Sequence, residues 1–240
     1  MNKCSSLFLA VAILALLGPV ASFAAVTPYS QDFEGLDQED PAALANDGWL
    51  VFGNVYTPGG DYLYGYGPFG APNGGPAFSA IVIGEGGAEQ GEQQLSVYND
   101  YNNEDHGNGN LIEANVFQEQ TIGQENVGQD WCFDFQAKLG NIEGQTTALA
   151  FIKTLDPNNN YQTTNFITED MTNIPTTWQG YALSITIDES LVGQILQIGF
   201  SSTATNYEGS GIFYDNIVWD TCEPTATITT TIGKVKSSYR

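Results

Sequence analysis

The chain has 240 residues, with 28 acidic side chains against six Lys and Arg and a formal net charge of −22. This excess of acid argues against nucleic acid as a partner, because phosphate binding needs clustered Lys and Arg that displace counterions. Anionic membranes and anionic polysaccharides are disfavoured on the same ground unless a metal ion bridges the charges, although the acidic surface could also serve only to keep the protein soluble.

Residues 1–24 have the pattern of a secretory signal peptide. Lys3 supplies the positive start, Leu7–Leu17 is an uninterrupted apolar run, and Ser22 and Ala24 place small residues before the cleavage site. A membrane anchor is the alternative, but the run is too short to span about 30 Å of hydrocarbon. We therefore predict a secreted protein, extracellular or periplasmic.

The rest of the chain suits one β domain, residues 25–222, followed by a Thr-rich tail, residues 223–240, whose basic residues could dock on the acidic body. Cys132 and Cys222 lie in a compartment that permits disulfides. We expect them to pair and to stabilise the fold by roughly 4 kcal/mol in the chain-entropy model. Two free thiols or a pair of metal ligands are the alternatives.

Helical signals are few. Asp40 can cap a short helix, in which Pro41 suits the first turn and Ala42–Ala45 the body, and Gly48 can end it. A second turn is predicted within Asp188–Gly193. So little helix in a strand-rich chain predicts an antiparallel β-sandwich (jelly roll) with one or two short helices, and not a βαβ fold.

Alternating apolar and polar residues predict strands along most of the domain. The clearest is Trp131–Leu139, in which every odd position is apolar and most even ones are polar, the period of a strand with one face in a core. Clusters of Gly, Asn, Asp and Pro separate the runs. The other predicted strands are Trp49–Tyr56, Phe78–Ile83, Gln94–Tyr98, Ile112–Phe117, Thr147–Thr154, Trp178–Ile187 with a bulge at Gly180, and Leu196–Phe200.

Two motifs resemble the terminal strands of jelly-roll carbohydrate-binding modules in secreted bacterial proteins. The first is Asp32–Gly35, with Trp49 following the short helix, and the second is Gly211–Val218. In that group, an acidic residue beside the first-strand Phe and an Asp in the last strand help to bind a structural calcium ion. The resemblance therefore implies Glu34 and Asp215 as calcium ligands, together with main-chain carbonyl oxygens.

The chain departs from that pattern at Asn216, where a second Asp is frequent, so the number of calcium ligands is left open. Calcium prefers six to eight oxygen ligands at about 2.4 Å, and carboxylates on adjacent strands would otherwise repel each other. The alternative is that Glu34 and Asp215 are solvated strand residues.

The polar segment Asp100–Gly107 has oxygen-bearing side chains at alternate positions, as an EF-hand loop does. Asp105 stands where that loop needs Gly, and no Glu closes it, so a polar surface loop is favoured. His106 is the chain's one histidine, which excludes a zinc site of several histidines. The sequence has neither a nucleophile elbow nor the Glu-x-Asp-x-x-Glu signature of jelly-roll glucanases, and we predict no catalytic residue.

A sugar-binding surface needs exposed aromatic rings, because they stack on the apolar face of a pyranose. Tyr62, Tyr64 and Tyr66 lie on a Gly-rich segment that we expect to be a loop with its rings at the surface. Trp49 and Trp178 are further candidates. The alternative for both tryptophans is a place in the core at the start of a strand.

The sequence thus predicts a non-catalytic binding protein for a neutral glycan, stabilised by calcium, with Tyr62–Phe69 as the ligand platform. An extracellular structural protein that assembles with its own copies is the alternative, since edge strands poor in Lys are weakly guarded against pairing. A glycoside hydrolase that uses a carboxylate pair is a third hypothesis.

Overall fold

The computed structural model describes residues 25–205 and 207–222. Within these residues, two antiparallel sheets of six strands each enclose one core. The predicted signal segment and the predicted tail lie outside the described residues. In the described part of the chain, no helix has the length and apolar character needed to cross a membrane.

Strands make up most of the secondary structure, and the helical elements between them are short. The strands are β1 (Tyr29–Gln31), β2 (Leu50–Tyr56), β3 (Tyr62–Gly70), β4 (Ala77–Ile83), β5 (Gln93–Asp100), β6 (Leu111–Thr121), β7 (Asp130–Leu139), β8 (Thr147–Asp156), β9 (Gln162–Asp170), β10 (Gln179–Thr186), β11 (Ile195–Ala204) and β12 (Ile212–Thr221). The described helical elements are α1 (Ala43–Asn46) and the 3₁₀ turns Glu104–Asn108, Gln124–Asn126 and Glu189–Leu191.

Sheet A has the strand order β10-β7-β12-β5-β4, and β1 pairs with the second half of β12. Sheet B has the order β3-β2-β6-β11-β8-β9. Every pairing is antiparallel, and in the described residues neither sheet closes into a barrel. The predicted antiparallel β-sandwich (jelly roll) is confirmed.

Aromatic side chains from both sheets meet in the core. Phe133 and Phe135 of β7 lie with ring centres 5.5 and 5.2 Å from that of Phe200 of β11, in the opposite sheet. Tyr214 of β12 stacks on Phe200 at 3.6 Å. Since successive side chains of a strand point to opposite faces, the residues between these rings are turned outward.

The two predicted helical turns are confirmed. The predicted cap of α1 is wrong, because the N-cap residue is Ala42, whose side chain makes no capping bond. Asp40 lies two residues earlier, and its Oδ1 accepts from the main-chain N–H of Ala42 at 2.9 Å. Asp188 is the N-cap of the 3₁₀ turn Glu189–Leu191, and its Oδ1 accepts from the main-chain N–H of Ser190 at 2.7 Å. These short carboxyl-bearing side chains satisfy N–H groups that have no partner within the turn.

The predicted disulfide is confirmed. Cys132 and Cys222 are joined by an S–S bond of 2.08 Å and are 90 residues apart in sequence. Cys132 lies between Trp131 and Phe133, which both point into the core, so the disulfide is on the outer face of sheet A.

The predicted bulge at Gly180 is wrong. β10 pairs with β7 in unbroken register from Gln179 to Thr186, with Gly180 opposite Gln136. Trp178 precedes β10. No extra residue is therefore needed to place Trp178 on the same face of the strand as Tyr181.

Candidate functional site

The segment that carries the predicted platform is an edge strand, so the expectation of a loop is wrong. β3 pairs with β2 on one side and forms one edge of sheet B. The rings of Tyr62 and Tyr64 are 58% and 42% exposed, and Phe69 is exposed as well. We call these three exposed rings of β3 the tyrosine platform. A register shift in β3 turns Tyr62 toward Tyr56 (ring centres 5.7 Å apart) and Tyr64 toward Tyr66 (6.1 Å), so the two exposed tyrosines lie on opposite faces of the strand.

Tyr64 is oriented by the segment before β6. Its hydroxyl donates to Asp105 Oδ2 at 2.6 Å, and Asp105 Oδ1 also accepts from Asn110 Nδ2 at 2.8 Å. The bond to Asp105 raises the pKa of the Tyr64 hydroxyl, while the bonds from Tyr64 and Asn110 lower the pKa of the Asp105 carboxyl. A carboxylate and an amide therefore lie beside an exposed ring, which is the combination that hydroxyl-bearing ligands require.

Tyr66 does not belong to the exposed surface. Its ring packs against Phe78 of sheet A with ring centres 6.2 Å apart, and covers the position where Gly53 has no side chain. Its hydroxyl donates to Asp100 Oδ2 at 2.8 Å. Burial raises its pKa, and its role in this structure is to anchor β3 to the sandwich.

His106 follows Asp105 directly, in the turn that contacts Tyr64. It is buried in the 3₁₀ turn Glu104–Asn108, with its Nε2 2.9 Å from Asn99 Oδ1 and its ring stacked on Tyr101. Burial lowers its pKa, which favours the neutral ring. Asn99 belongs to β5 of sheet A and also donates to the main-chain oxygens of Ile112 and Ser202 of sheet B, both at 2.8 Å. Through Asn99, His106 is therefore connected to both sheets.

Trp49 is a core residue, and its prediction as a sugar-binding residue is wrong. The ring is 0% exposed, stacks on Phe200 at 6.4 Å and donates through Nε1 to the Tyr29 hydroxyl at 2.9 Å. A ring covered on both faces by protein has no surface to offer a ligand.

Trp178 lies far from the platform in the fold. It immediately precedes β10, which forms the edge of sheet A that contacts β8 and β9, whereas β3 is at the other edge of sheet B. The Trp178 ring is half-buried, donates through Nε1 to the main-chain oxygen of Glu85 at 3.0 Å, and lies 5.6 Å from Lys138 Nζ. The structure therefore does not bring Trp178 together with the tyrosines.

The predicted calcium ligands lie where β1 and β5 meet along β12. Tyr214 pairs with Leu95, so the next residue, Asp215, lies across from Gln94 of β5. Asp215 is 0% exposed, and both its Oδ2 and Oε1 of Gln94 lack a hydrogen-bond partner within the described residues. Two buried oxygen atoms without a donor are a cost to the fold unless something else satisfies them.

Negative charge accumulates around this point. Burial above all, together with the nearby carboxylates of Glu34 and Asp32, raises the pKa of Asp215 to about 7. Glu34 Oε1 accepts from the main-chain N–H groups of Glu92 and Gln93 at 2.8 and 2.7 Å. Sequence reasoning missed Gln94, because only the strand register places it opposite Asp215.

The donor set fits calcium better than a metal that prefers nitrogen or sulfur. Across residues 25–205 and 207–222, no three His, Cys, Asp or Glu side chains are grouped so that they could hold a metal ion. A hard cation at Asp215 would therefore depend on amide and main-chain oxygens, which calcium accepts as ligands.

The departure at Asn216 has a structural reason. Asn216 lies at an irregularity in the β12–β7 pairing, with φ at +48°, a conformation that Asn tolerates better than most residues. Its Nδ2 donates to the main-chain oxygen of Glu89 at 3.0 Å and to Gln136 Oε1 at 2.9 Å. A carboxylate could make neither donation, so an Asp here would lose both contacts.

No protein-family model matches the sequence, and no curated protein matches it. Solved structures do match. One is the enzymatically active domain of bacteriophage CBA120 tailspike protein 4, with 12% identity and a TM-score of 0.44 over 78% of this chain and 21% of that chain. Another is the CBM22-1 xylan-binding domain of Paenibacillus barcinonensis Xyn10C, with 9% identity and a TM-score of 0.42 over 86% of this chain and 99% of that chain. A third contains the CBM22-1–GH10 modules of Clostridium thermocellum endo-1,4-β-D-xylanase 10B, with 11% identity and a TM-score of 0.39 over 72% of this chain and 26% of that chain.

Carbohydrate-binding modules of families 4, 16 and 22 are prominent among the matching structures, and the terminal-strand motifs resemble the same group. This chain spans about a fifth of the tailspike domain and about a quarter of the xylanase fragment. At TM-scores below 0.5 the likeness assigns no ligand to this chain, so function has to be argued from its own residues.

Proposed function

We propose that this protein is a secreted, non-catalytic carbohydrate-binding protein that recognises a neutral glycan at the tyrosine platform. The observation that carries the proposal is the exposed ring of Tyr64 with fixed polar groups at its margin, above all the Asp105 carboxylate, which accepts from the Tyr64 hydroxyl at 2.6 Å. A ring of this kind stacks on the apolar face of a sugar. The neighbouring carboxylate and amide can then accept from and donate to its hydroxyl groups.

The charge of the chain supports a neutral ligand. Lys138 and Lys153 are the basic residues of the described region, and Lys138 is already paired with Glu85 at 2.8 Å. An anionic polysaccharide would meet repulsion over most of the surface. The predicted signal segment and the disulfide support export to an oxidising compartment.

The test is native affinity electrophoresis of the mature chain through gels that contain neutral or acidic polysaccharides. We expect retardation by a neutral polysaccharide, its loss in Tyr64→Ala, and its retention in Tyr64→Phe, which keeps the ring. Tyr161→Ala is the matched control, because Tyr161 is 61% exposed and lies at the turn between β8 and β9. No retardation of the wild type in any gel would contradict the proposed function.

Two further measurements on the same purified protein address the other hypotheses. Filaments or ladders in purified protein would favour self-assembly, for which the edge strand β9 offers nine residues without Lys or Pro. Release of reducing ends from a retained polysaccharide would instead favour a hydrolase.

We further propose that calcium binds at Asp215 and Glu34 and stabilises the junction of β1, β5 and β12. Support comes from the unpartnered oxygens of Asp215 and Gln94 and from the surrounding carboxylates, whose mutual repulsion a cation would remove. A ligand at 100 times its dissociation constant stabilises the folded state by about 2.7 kcal/mol.

Thermal unfolding in calcium, magnesium and EDTA tests this proposal. We expect calcium to raise the unfolding temperature of the wild type and to leave Asp215→Asn unchanged. Asp188→Asn is the control, since Asp188 is an exposed cap after β10, a strand that pairs with β7 and not with β12. Equal unfolding temperatures in calcium and EDTA for the wild type would contradict the calcium site.

A further inference from the structure

The outer face of sheet A contains an open groove of about 380 Å³. It crosses three strands: Gly180 and Ala182 of β10 lie opposite Gln136 and Asp134 of β7, and Asn216 of β12 lies on the far side of β7. This volume is at the lower end of the range of small-ligand sites. Neither the tyrosine platform nor the calcium ligands line it.

The groove exists because two small residues are aligned along one side of it. A Cβ atom placed on Gly180 would have no other atom within 4 Å, so the space above this residue is open. Ala182, two residues further along β10, also faces outward and adds only a methyl group. Larger side chains at these positions would fill the groove from its floor.

The opposite side of the groove is polar and held in place. The segment between β4 and β5 folds over this face, where Gln90 Nε2 donates to Gln136 Oε1 and Asn216 Nδ2 donates to the main-chain oxygen of Glu89. Lys138 Nζ donates to the main-chain oxygen of Glu85, at 2.6 Å, and so fastens the start of the same segment. Two amide side chains are thereby fixed at the edge of the groove before any ligand arrives.

Asp134 supplies an acceptor in the floor. It lies between Ala182 and Val218 of the flanking strands, neither of which has a polar side chain. Asp134 has no ion pair and no hydrogen-bond partner among the described residues, although its side chain is accessible. An unpaired carboxylate beside fixed amides is complementary to a ligand that brings hydroxyl donors.

We propose that this groove is a second binding site for a neutral sugar unit, with Asp134 accepting from its hydroxyls and Gly180 and Ala182 accommodating the ring. The inference rests on the proposed glycan-binding function and extends it. The groove is on sheet A beside the β10 edge, and the tyrosine platform is on the opposite edge of sheet B. One molecule therefore binds two separate stretches of glycan and can bridge two chains.

The test is isothermal titration of the full mature chain with neutral hexasaccharides of glucose, xylose and mannose. We expect the wild type to bind two molecules of the hexasaccharide it recognises. Gly180→Val, which fills open space, and Asp134→Ala should each remove or weaken one site, the latter by roughly 10- to 100-fold for a lost hydrogen bond to a charged group. Tyr64→Ala should remove the other site, and the double variant Gly180→Val/Tyr64→Ala should not bind.

Ser184→Val is the matched control for Gly180→Val. Ser184 faces outward on the same strand, two residues beyond Ala182, and does not line the groove. A second readout is the viscosity of a long neutral polysaccharide, which the wild type should raise and either single-site variant should not.

The outcomes separate the two proposals. A stoichiometry of one that Tyr64→Ala abolishes and Gly180→Val leaves unchanged would overturn the second site and leave the proposed function standing. Absence of binding by the wild type to every hexasaccharide and polysaccharide would overturn both.

Discussion

The outer faces of the two sheets differ in how they are filled, although alternating sequence marks both. On sheet A, the space above Gly180 is open. On sheet B, a Cβ atom on Gly199 of β11 would lie 2.3 Å from the main-chain oxygen of Val116. Phe151, which pairs with Gly199, is fully buried, and Lys153 Nζ lies 4.7 Å from its ring centre. Sheet A thus has room for a ligand where sheet B is packed by its own side chains.

The difference shows what alternation can and cannot indicate. A period of two identifies the side chains that leave the core, because the strand geometry imposes it. Whether a groove or a packed layer lies above them depends on neighbours from strands that are distant in sequence.

The largest expected effect concerns the Cys132–Cys222 disulfide, which lies on the outer face of sheet A. We expect Cys132→Ser/Cys222→Ser to lose roughly 4 kcal/mol of unfolding free energy, because the 90-residue loop no longer restricts the unfolded chain. Guanidinium denaturation of the variant and the wild type measures the loss. A variant as stable as the wild type would show that packing alone holds β7 to the end of β12.

The two glycines test the comparison of faces directly. Gly199→Ala should lower the free energy of unfolding by about 2 kcal/mol, because the added methyl group meets the backbone of β6. This is within the range of roughly 1–3 kcal/mol that overpacking typically costs. Gly180→Ala should change stability by less than about 0.5 kcal/mol, as surface substitutions usually do. Urea denaturation of both variants measures this, and equal losses would contradict the contrast between an open and a filled face.

The smallest effect is the pH dependence of Asp215. Its pKa in the folded state is raised to about 7, so the folded state holds a proton that the unfolded state releases. Between about pH 4 and pH 7 stability should therefore fall as pH rises, by an amount on the order of 1 kcal/mol. Urea midpoints in EDTA across this range measure it.

Two comparisons sharpen this pH prediction. Asp215→Asn should flatten the decline, because no carboxyl group remains to titrate. Calcium should flatten it as well, because the ion favours the charged carboxylate and offsets the repulsion from Glu34 and Asp32. A decline of the same size in Asp215→Asn would assign it to other groups.

Elements with one buried face could be predicted from the sequence. β7 alternates through Trp131, Phe133 and Phe135, which pack in the core, and its predicted bounds differ from the structure by one residue. The disulfide followed from two cysteines in a chain that is predicted to be exported, and the cap Asp188 followed from its local chemistry.

The two edges of sheet B could not be predicted in the same way. The sequence pattern predicts a loop for the segment of β3 and no strand for the segment of β9. Most residues of both strands are exposed or half-exposed, so neither has the alternation of a strand with a buried face. Their conformation is determined by hydrogen bonds to β2 and β8.

By itself, the sequence determined the fold class, the disulfide and the presence of tyrosines on one Gly-rich segment, because these depend on local periodicity and residue chemistry. Only the tertiary structure decided that Trp49 is a core ring and that Gln94 lies opposite Asp215. It also decided that Gly180 stands beneath open space. The physical reason is that burial, strand register and empty volume arise between residues that are far apart along the chain.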